Sequence, residues 1–443
     1  MLTWWVLLTC LGLLSSEVAA FGRPGPGRNS LREVYSWNYI DYDFGSEGQR
    51  QSAIASGRYN HSNCVPIDVD HWRNVTFVTV IRDNGVPSSL NIISEKRGPG
   101  GPLLRPYPNW NWARNERCSG ITSVYRVAID KCDRLWVLDT GVINGRHVCP
   151  AQLLSFDLNT SRLLQRVRIP ENIARNSTSG QGLLVTPLVS TYQNNCDNPT
   201  VYIADVEGYA LIVYDRNGLR RVTSSALDYD PRAETYTIEG QSFVLRDGVV
   251  GMDISERTGN LYFSPMSSFN LGSVNTRTCN HLYENNCPCH LQHDILRTQS
   301  SAKAISTGGV LFFGLVGDTS IGCWNEATRL TRENIDVVTK DRVTLQFISG
   351  MKIRENLGRE ELMVLSNRYQ KIATGTINYN QVNFRILGRS VYDLTQHTRC
   401  RGGILANIIL RCYNIYNTGR PVLSLPFSSH FCCCNGTLNA YLC

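Results

Sequence analysis

Residues 119–139, SGITSVYRVAIDKCDRLWVLD, carry a strand that opens on glycine, then a polar turn and a second apolar strand. The same plan returns at residues 250–265 and 349–366. A unit of this kind is a small antiparallel sheet that cannot bury its own faces. It therefore needs further copies to pack against.

Those copies are present along most of the chain. An apolar strand that ends in a small or polar residue recurs six times, at intervals of roughly 50 to 65 residues: FVTVIR at 77–82, LWVLDTG at 135–141, VYIADVEG at 201–208, LYFSPMSS at 261–268, LFFGLVGD at 311–318 and LMVLSNR at 362–368. Many are followed by another strand after an Asn-Thr-Ser or Asn-Gly turn.

This repeat predicts an all-β fold, a six-bladed β-propeller with a central channel. Two stacked β-sandwiches are the alternative. Glycines 120, 251 and 350 fit the innermost strands, where a Cβ would crowd the neighbouring backbone. No run of residues has the spacing of a long amphipathic helix.

Three segments follow from this organisation. Residues 1–20 read as a secretory signal peptide, since an apolar run leads to the small residues before position 20. Residues 21–400 form one propeller domain. Residues 401–443 contain no acidic residue and a Cys-Cys-Cys triplet, so they are either a disulfide-rich tail that could link subunits or an artefact of the gene model.

Composition excludes several classes of function. The net charge of +7 is spread over single arginines, without the basic face or arm that nucleic-acid binders use. No second apolar run is long enough to cross a membrane. Gly-x-Ser-x-Gly, His-Glu-x-x-His and phosphate-loop motifs are absent from the sequence. We expect a secreted protein without a cofactor.

The chain resembles the insect Yellow and major royal jelly protein family, and it is closer to the royal jelly branch. The matching segments cover residues 35 to 400 in order; they include DYDFGSEGQRQSAIASGRY, GVPSSLNIIS, GGPLLRPYPNW, CDRLWVLDTG, VYIADVEGYALIVYD, TQSSAKAISTGGVLFFGLVGDTSIGCWNE, LMVLSNRYQKI and VNFRILG. The resemblance implies a six-bladed propeller and export. It leaves the activity open, because members include pigmentation proteins credited with dopachrome conversion, amine binders and abundant nutrient or sterol-associated proteins.

Four cysteines stand at positions typical of the family. From the resemblance we expect the bridges Cys118–Cys149 and Cys132–Cys196, although four cysteines allow three connectivities. Cys323 follows an apolar strand and is expected to be a buried free thiol. Export also makes a set of sequons candidate glycan sites: Asn60, Asn74, Asn159, Asn176 and Asn435.

The stretch CNHLYENNCPCHLQHD, residues 279–294, is a second chemical signal. Relatives do not share these cysteines, and we expect a long connection stapled by disulfides such as Cys279–Cys287, with Cys289 reaching Cys64 or another chain. A zinc site is the weaker alternative, with the ligands Cys287, Cys289, His290 and His293.

Polar and aromatic residues at the ends of the repeated strands are the candidate channel lining: Asp139, Asp205, Asn367, Asn383, Phe313 and Phe384. Carboxylates with aromatic rings suit a small cationic aromatic ligand, although the two aspartates could equally cap strand ends. We favour a non-enzymatic protein for nutrition, storage or binding of an aromatic amine or sterol-like ligand. The alternatives are a dopachrome-type tautomerase with Asp139 or Asp205 as base, and a calcium-dependent propeller hydrolase.

Overall fold

The computed structural model describes residues 30–114, 118–191, 195–276 and 289–401. The predicted signal peptide, Cys279, Cys287 and the chain after Arg401 lie outside these ranges.

Six four-stranded antiparallel sheets form the six blades of a β-propeller. The first strand of the chain, β1 (Arg32–Trp37), belongs to the last blade. Blade 1 contains β2 (Pro66–Trp72), β3 (Val75–Val80), β4 (Leu90–Gly98) and β5 (Gly101–Pro106), and blade 2 contains β6 (Val124–Ile129), β7 (Arg134–Asp139), β10 (Gln152–Asp157) and β11 (Leu163–Arg168). Blade 3 contains β12 (Leu184–Ser190), β13 (Thr200–Asp205), β14 (Ala210–Asp215) and β15 (Gly218–Thr223), and blade 4 contains β18 (Val249–Ile254), β19 (Asn260–Pro265), β20 (Leu271–Asn275) and β21 (His290–Gln292). Blade 5 contains β22 (Ser300–Ile305), β23 (Val310–Leu315), β24 (Ser320–Asn325) and β25 (Asp336–Lys340), and blade 6 contains β26 (Phe347–Asn356), β27 (Arg359–Asn367) and β28 (Phe384–Ser390) besides β1.

Two small hairpins and five short helices connect or flank the blades. The hairpins are β8 (Val142–Ile143) with β9 (Arg146–His147), and β16 (Thr235–Ile238) with β17 (Gln241–Val244). The helices are α1 (Glu47–Ala55), α2 (Trp110–Arg114), α3 (Glu171–Ala174), α4 (Tyr369–Ala373) and α5 (Val391–Thr395). Within the described ranges, no helix has the length and apolar character needed to cross a membrane.

The inner strands of successive blades close a ring. Strand β2 contacts both β6 and β26, and the contacts continue through β12, β18 and β22 back to β26. Blade 6 is completed by the beginning of the chain, because β1 pairs with β28 as its outermost strand. The six repeated segments of the sequence are the second strands of the blades, which confirms the predicted six-bladed propeller.

Packing between blades forms the core. Six clusters of buried apolar side chains each draw on two adjacent blades. The second strand lies in the middle of these contacts and is covered on both faces. Such a strand reads as a nearly continuous apolar run, which explains why this strand dominates the sequence repeat.

Every inner strand carries an irregularity in its register near the end at which it begins. A β-bulge of this kind bends a strand and redirects its side chains. Gly251 and Gly350 lie in inner strands, as predicted, and each is found at one of these bulges. A Cβ at Gly350 would lie 2.9 Å from the Cα of Asp68. Gly120 was wrongly placed in an inner strand; it precedes β6, and its carbonyl accepts a hydrogen bond from Gln152.

We expect Gly251→Ala to lower the free energy of unfolding by about 1–3 kcal/mol. A Cβ at this position would overlap the carbonyl oxygen of Ser301 on the neighbouring blade. Urea denaturation of the purified protein measures the change. Gly48→Ala is the control, since a Cβ there meets no atom within 4 Å, and it should be neutral or slightly stabilising. Equal stability of the two variants would contradict the close approach of the inner strands.

Three disulfides are present in the described chain. Cys118–Cys149 and Cys132–Cys196 have the predicted pairing. The prediction of a free thiol at Cys323 was wrong, because Cys323 on β24 is bonded to Cys400 beyond α5. Cys64 is a buried thiol whose Sγ lies 3.4 Å from the carbonyl oxygen of Asn60.

The cysteine- and histidine-rich stretch is only partly a connection. Its residues from 279 to 288 lie outside the described ranges, whereas His290–Gln292 forms the outermost strand of blade 4. The interpretation of the whole stretch as a loop outside the blades was therefore wrong for its last part. The proposed zinc ligand Cys287 and the bridge Cys279–Cys287 lie outside the described residues.

Candidate functional site

The six predicted channel residues are all buried, with exposed fractions of 2% or less. Asp139 ends β7, and its carboxylate accepts hydrogen bonds from the backbone amides of Thr122, Ser123 and Gly141 and from the side chain of Gln152. This carboxylate stabilises the connection into the inner strand of blade 2. No face of it is available to a ligand.

The Asp205 carboxylate stabilises the corresponding connection in blade 3. Asp205 ends β13 and accepts hydrogen bonds from the amides of Leu183 and Gly208. Arg221 completes the set with an ion pair of 2.6 Å. Both aspartates therefore act as strand-end caps, which was the alternative that the sequence left open.

The other four candidates are also structural. Asn367 bridges blades 6 and 1 through a hydrogen bond to Pro66 O, and Asn383 donates to the carbonyl oxygens of Asn38 and Asn378. Phe313 packs between blades 4 and 5, and Phe384 between blades 6 and 1. The prediction erred by one strand, because these residues belong to the second and third strands rather than to the innermost one.

Charged residues of the inner strands occupy the centre of the ring. We call Asp68, Asp70, Arg126 and Lys352 the axial charge cluster. Lys352 Nζ donates to Val127 O at 2.9 Å and lies 3.4 Å from Asp68 Oδ2. Arg126 Nη2 donates to Ser349 O at 2.8 Å. These bonds join blades 2 and 6 across the inner strand of blade 1 and obstruct the channel at this level.

Burial and the neighbouring charges shift the pKa values of Asp70 and Lys352 in the axial charge cluster. Burial raises the pKa of Asp70 to about 7, against the attraction of Lys352 and with a further upward contribution from Asp68. Burial would lower the pKa of Lys352, but Asp68, Asp70 and Asp253 together raise it. Lys352 is therefore the cation that the surrounding carboxyl groups share.

A set of aromatic and acidic side chains lies above the axial charge cluster, at the face where the inner strands begin. We call it the mouth cluster: Tyr125, Glu207, Phe243, Asp247, Phe347 and Tyr369. Tyr125 and Phe347 stand at the beginnings of β6 and β26, and Asp247 precedes β18. Glu207 and Tyr369 follow the ends of β13 and β27, which run antiparallel to inner strands. The topology therefore brings all six residues to one end of the channel.

The rings form a continuous aromatic wall. Tyr369 lies 5.1 Å from Phe347 and 5.4 Å from Phe243, measured between ring centroids. Phe243 stacks in turn on buried Tyr236 at 5.2 Å. Tyr125, Phe243 and Tyr369 are only partly buried against the core between blades 3 and 4. Their remaining surface is open at the mouth.

The two carboxylates at the mouth have no charged partner of their own. Within the described ranges, neither Glu207 nor Asp247 makes a side-chain hydrogen bond or a salt bridge. Burial and the nearby Glu207 raise the pKa of Asp247 to about 7, although Arg126 opposes the shift. Burial and Asp205 raise the pKa of Glu207. The mouth therefore combines aromatic surface with two carboxyl groups that no salt bridge neutralises.

Within the described residues, no group of three or more His, Cys, Asp or Glu side chains is arranged to hold a metal ion. Asp68 has the ammonium group of Lys352 beside it, 3.4 Å from Oδ2 to Nζ, and this neighbour disfavours a metal cation. His290 and His293 are both exposed.

The chain is similar in sequence to one protein family and to its curated members. The family model described as "Major royal jelly protein" matches residues 122–400. Major royal jelly protein 9 of Apis mellifera is 52% identical over 409 residues, covering 90% of this chain and 96% of the relative. Major royal jelly protein 8 of the same species is 50% identical, covering 89% and 99%.

Among solved structures, a luciferin-regenerating enzyme is similar over 81% of this chain and 94% of that one, at 10% identity and a TM-score of 0.43. That similarity is too low to bear on function. The family match and the two relatives lead to the same conclusion, and the chain belongs to the major royal jelly protein family.

Proposed function

We propose that this chain is a secreted, non-enzymatic royal jelly protein that binds a small cationic aromatic molecule at the mouth cluster. One observation carries the proposal: two carboxylates without a partner, Glu207 and Asp247, stand beside the open rings of Tyr125, Phe243 and Tyr369. The ammonium group of the ligand would neutralise the two carboxylates. Its aromatic ring would pack on the three rings, and their faces would also attract the cation.

The axial charge cluster supports the same assignment. It obstructs the channel below the mouth, so a ligand would be held in a shallow basin instead of passing along the axis. Arg126 and Lys352 also balance Asp68 and Asp70, so the deeper channel is less attractive to a cation than the two carboxyl groups at the mouth. The ammonium group should therefore remain near Asp247.

We expect tyramine to bind and 4-ethylphenol, which has the same ring without the ammonium group, to bind much more weakly. Isothermal titration calorimetry on the secreted protein measures both. Asp247→Asn should weaken tyramine binding about tenfold, since a charged hydrogen bond contributes about 1.5–3 kcal/mol. Glu355→Gln, an exposed acid far along the β26–β27 hairpin, is the matched control. Equal affinity for the two compounds would point to a neutral, sterol-like ligand and overturn the cationic assignment.

Tyramine binding should strengthen between pH 6 and pH 8. With a pKa of about 7, Asp247 is mostly protonated at pH 6 and mostly ionised at pH 8, while the amine stays charged throughout. The ionised fraction of Asp247 rises about tenfold over this range, so the affinity should rise by up to about tenfold, and the dependence should vanish in Asp247→Asn. A wild-type affinity that falls over this range would exclude Asp247 as the partner of the cation.

A dopachrome-type tautomerase has less support. Asp139 and Asp205 are enclosed by their donors and offer no lone pair to a substrate. We expect the protein to show no dopachrome turnover beyond the uncatalysed rate. Turnover that survives Asp139→Asn but not Asp247→Asn would instead make the mouth cluster a catalytic site.

Export and glycosylation form part of the proposal. Asn60, Asn74 and Asn159 are exposed in turns between elements, where an attached glycan would not disturb a blade. Asn176 is half-buried, and its side-chain nitrogen lies 3.4 Å from Gly208 O, so it is the least suitable of the four. Peptide mass spectrometry of the secreted protein would show which sites carry glycans and whether residues 1–20 are removed.

A further inference from the structure

A second concave site lies on the same face, away from the axis and between blades 2 and 3. It is a cavity of about 820 Å³. One side is the β8–β9 hairpin, and the other is the connection that carries α3. Both walls lie outside the blade sheets, so this cavity shares none of its lining with the mouth cluster.

The hairpin wall is fixed by covalent and steric constraints. The disulfide Cys118–Cys149 ties the end of the hairpin to the segment that precedes β6. The amides of Val148 and Cys149 both donate to Gly141 O. Gly141 has φ of +71°, and a Cβ there would overlap the backbone of Cys149. The cavity is therefore a formed feature of the fold.

The floor of the cavity is apolar, and its rim is cationic. Val142, Ile169 and Leu184 form the floor and are buried. The rim carries Arg168, Arg175 and His147, and Glu171 is the only acid among the lining residues that the structure describes. Glu171 and Arg175 form a pair at 3.3 Å, and Glu171 is 78% exposed. This pair leaves Arg168 as an uncompensated charge at the rim.

Arg168 is held at the cavity wall. Its Nη2 donates to Cys118 O at 2.7 Å, so the guanidinium is anchored beside the disulfide while its other N–H groups remain available. Burial lowers the pKa of His147, and Arg175 lowers it further, so His147 is not one of the positive charges at neutral pH. Arg168 on β11 and Arg175 beside α3 present guanidinium groups to the same opening.

We infer that this cavity binds a small amphiphile whose polar end is an anion, with its apolar chain on the floor and its anionic group on Arg168 and Arg175. The volume lies in the range of ordinary small-molecule sites, about 300–1,000 Å³. Guanidinium groups bind carboxylates through paired hydrogen bonds. The charge preference is the opposite of that proposed for the mouth cluster, and the two assignments stand independently.

The test compares three probes with the same alkyl chain: octanoate, octanol and octylamine. Calorimetric titration of the full secreted protein should show octanoate binding at least tenfold more tightly than the other two. Arg168→Gln should weaken octanoate binding about tenfold. Arg216→Gln, an exposed arginine in the β14–β15 turn, is the matched control and should leave the affinity unchanged.

A variant that fills the cavity tests the binding site without changing its charge. Ala174→Phe places a ring in the cavity, and it should weaken octanoate binding while tyramine binding at the mouth is retained. Equal binding of all three probes, no binding of octanoate, or loss of octanoate binding in Asp247→Asn would each overturn the inference. The first two outcomes would leave the mouth cluster unaffected, because its test uses a cationic aromatic ligand, whereas the third would place octanoate at the mouth and count against the cationic assignment there as well.

Discussion

Replacing Lys352 by methionine is expected to lower the free energy of unfolding by about 3 kcal/mol or more at pH 8, because buried carboxylates then lose their cation. Asp68 is 1% exposed and Asp70 is 8% exposed, so water cannot take the place of the ammonium group. The hydrogen bond from Nζ to Val127 O, which links blades 6 and 2, is lost as well. Both effects act on the ring of inner strands.

The loss should be smaller at pH 5. Because the folded-state pKa of Asp70 is about 7, well above the usual value for aspartate, the folded protein binds more protons than the unfolded chain between these two values. The stability contribution of Asp70 is thus fully present at low pH and is lost as pH rises through 7. Without Lys352 this pKa rises further, so the variant should lose stability more steeply with pH than the wild type.

Urea denaturation at pH 5 and pH 8 measures both effects. Lys340→Met on β25 is the matched control, since Lys340 is exposed at the rim of blade 5, and it should change stability little at either pH. The double variant Asp70→Asn/Lys352→Met should recover part of the loss and flatten the pH dependence. A loss that does not depend on pH would show that the methionine side chain fits poorly and that charge is not the cause.

Removing the disulfide Cys323–Cys400 with paired alanine substitutions should cost about 4 kcal/mol, the value expected for a large closed loop. The two cysteines are 77 residues apart in sequence, and both are fully buried. The bridge fastens the segment after α5 to the third strand of blade 5. Its loss should destabilise the last two blades in particular.

The control for this variant is Cys64→Ala. Burial raises the pKa of the Cys64 thiol, so this group stays protonated and unreactive. Its replacement removes one buried side chain without opening a covalent loop, and the cost should be clearly smaller. Urea denaturation without reductant compares the free energies of unfolding of the variants. Addition of a thiol reductant should lower the free energy of unfolding of the wild type towards that of the double variant. Similar losses for both substitutions would show that packing, not the cross-link, accounts for the effect.

The fold could be predicted from the sequence because its strongest pattern coincides with its most constrained element. Strands such as β7 and β23 are covered on both faces, so their apolar runs repeat once per blade. The same property misled the choice of site residues. Asp139, Asp205 and Asn367 end these conspicuous strands and were placed in the channel, whereas the ring centre is formed by the strand beside them.

The residues at the centre had a weaker signal. Asp68 and Asp70 alternate with apolar residues on β2, Arg126 is the one charged residue of β6, and Lys352 alternates with Arg354 on β26. An alternation of charge on the strand before each repeated segment could have indicated the axial charge cluster. The mouth cluster had no such signal, because its members come from five separate parts of the chain and meet only when the ring closes. Disulfide Cys323–Cys400 was missed since Cys400 lies beyond the last repeated strand.

The pairing of β1 with β28 also determines when this protein can finish folding. Arg32 and Gly388 are partners in this sheet, although about 350 residues of chain separate them, and such distant contacts slow folding. During synthesis the first strand emerges early and has no edge to join until the last blade is complete. For this interval β1 has unpaired backbone groups that other nascent chains could contact. We expect substitutions in β1 to affect the yield of secreted protein more than the stability of molecules that have already closed.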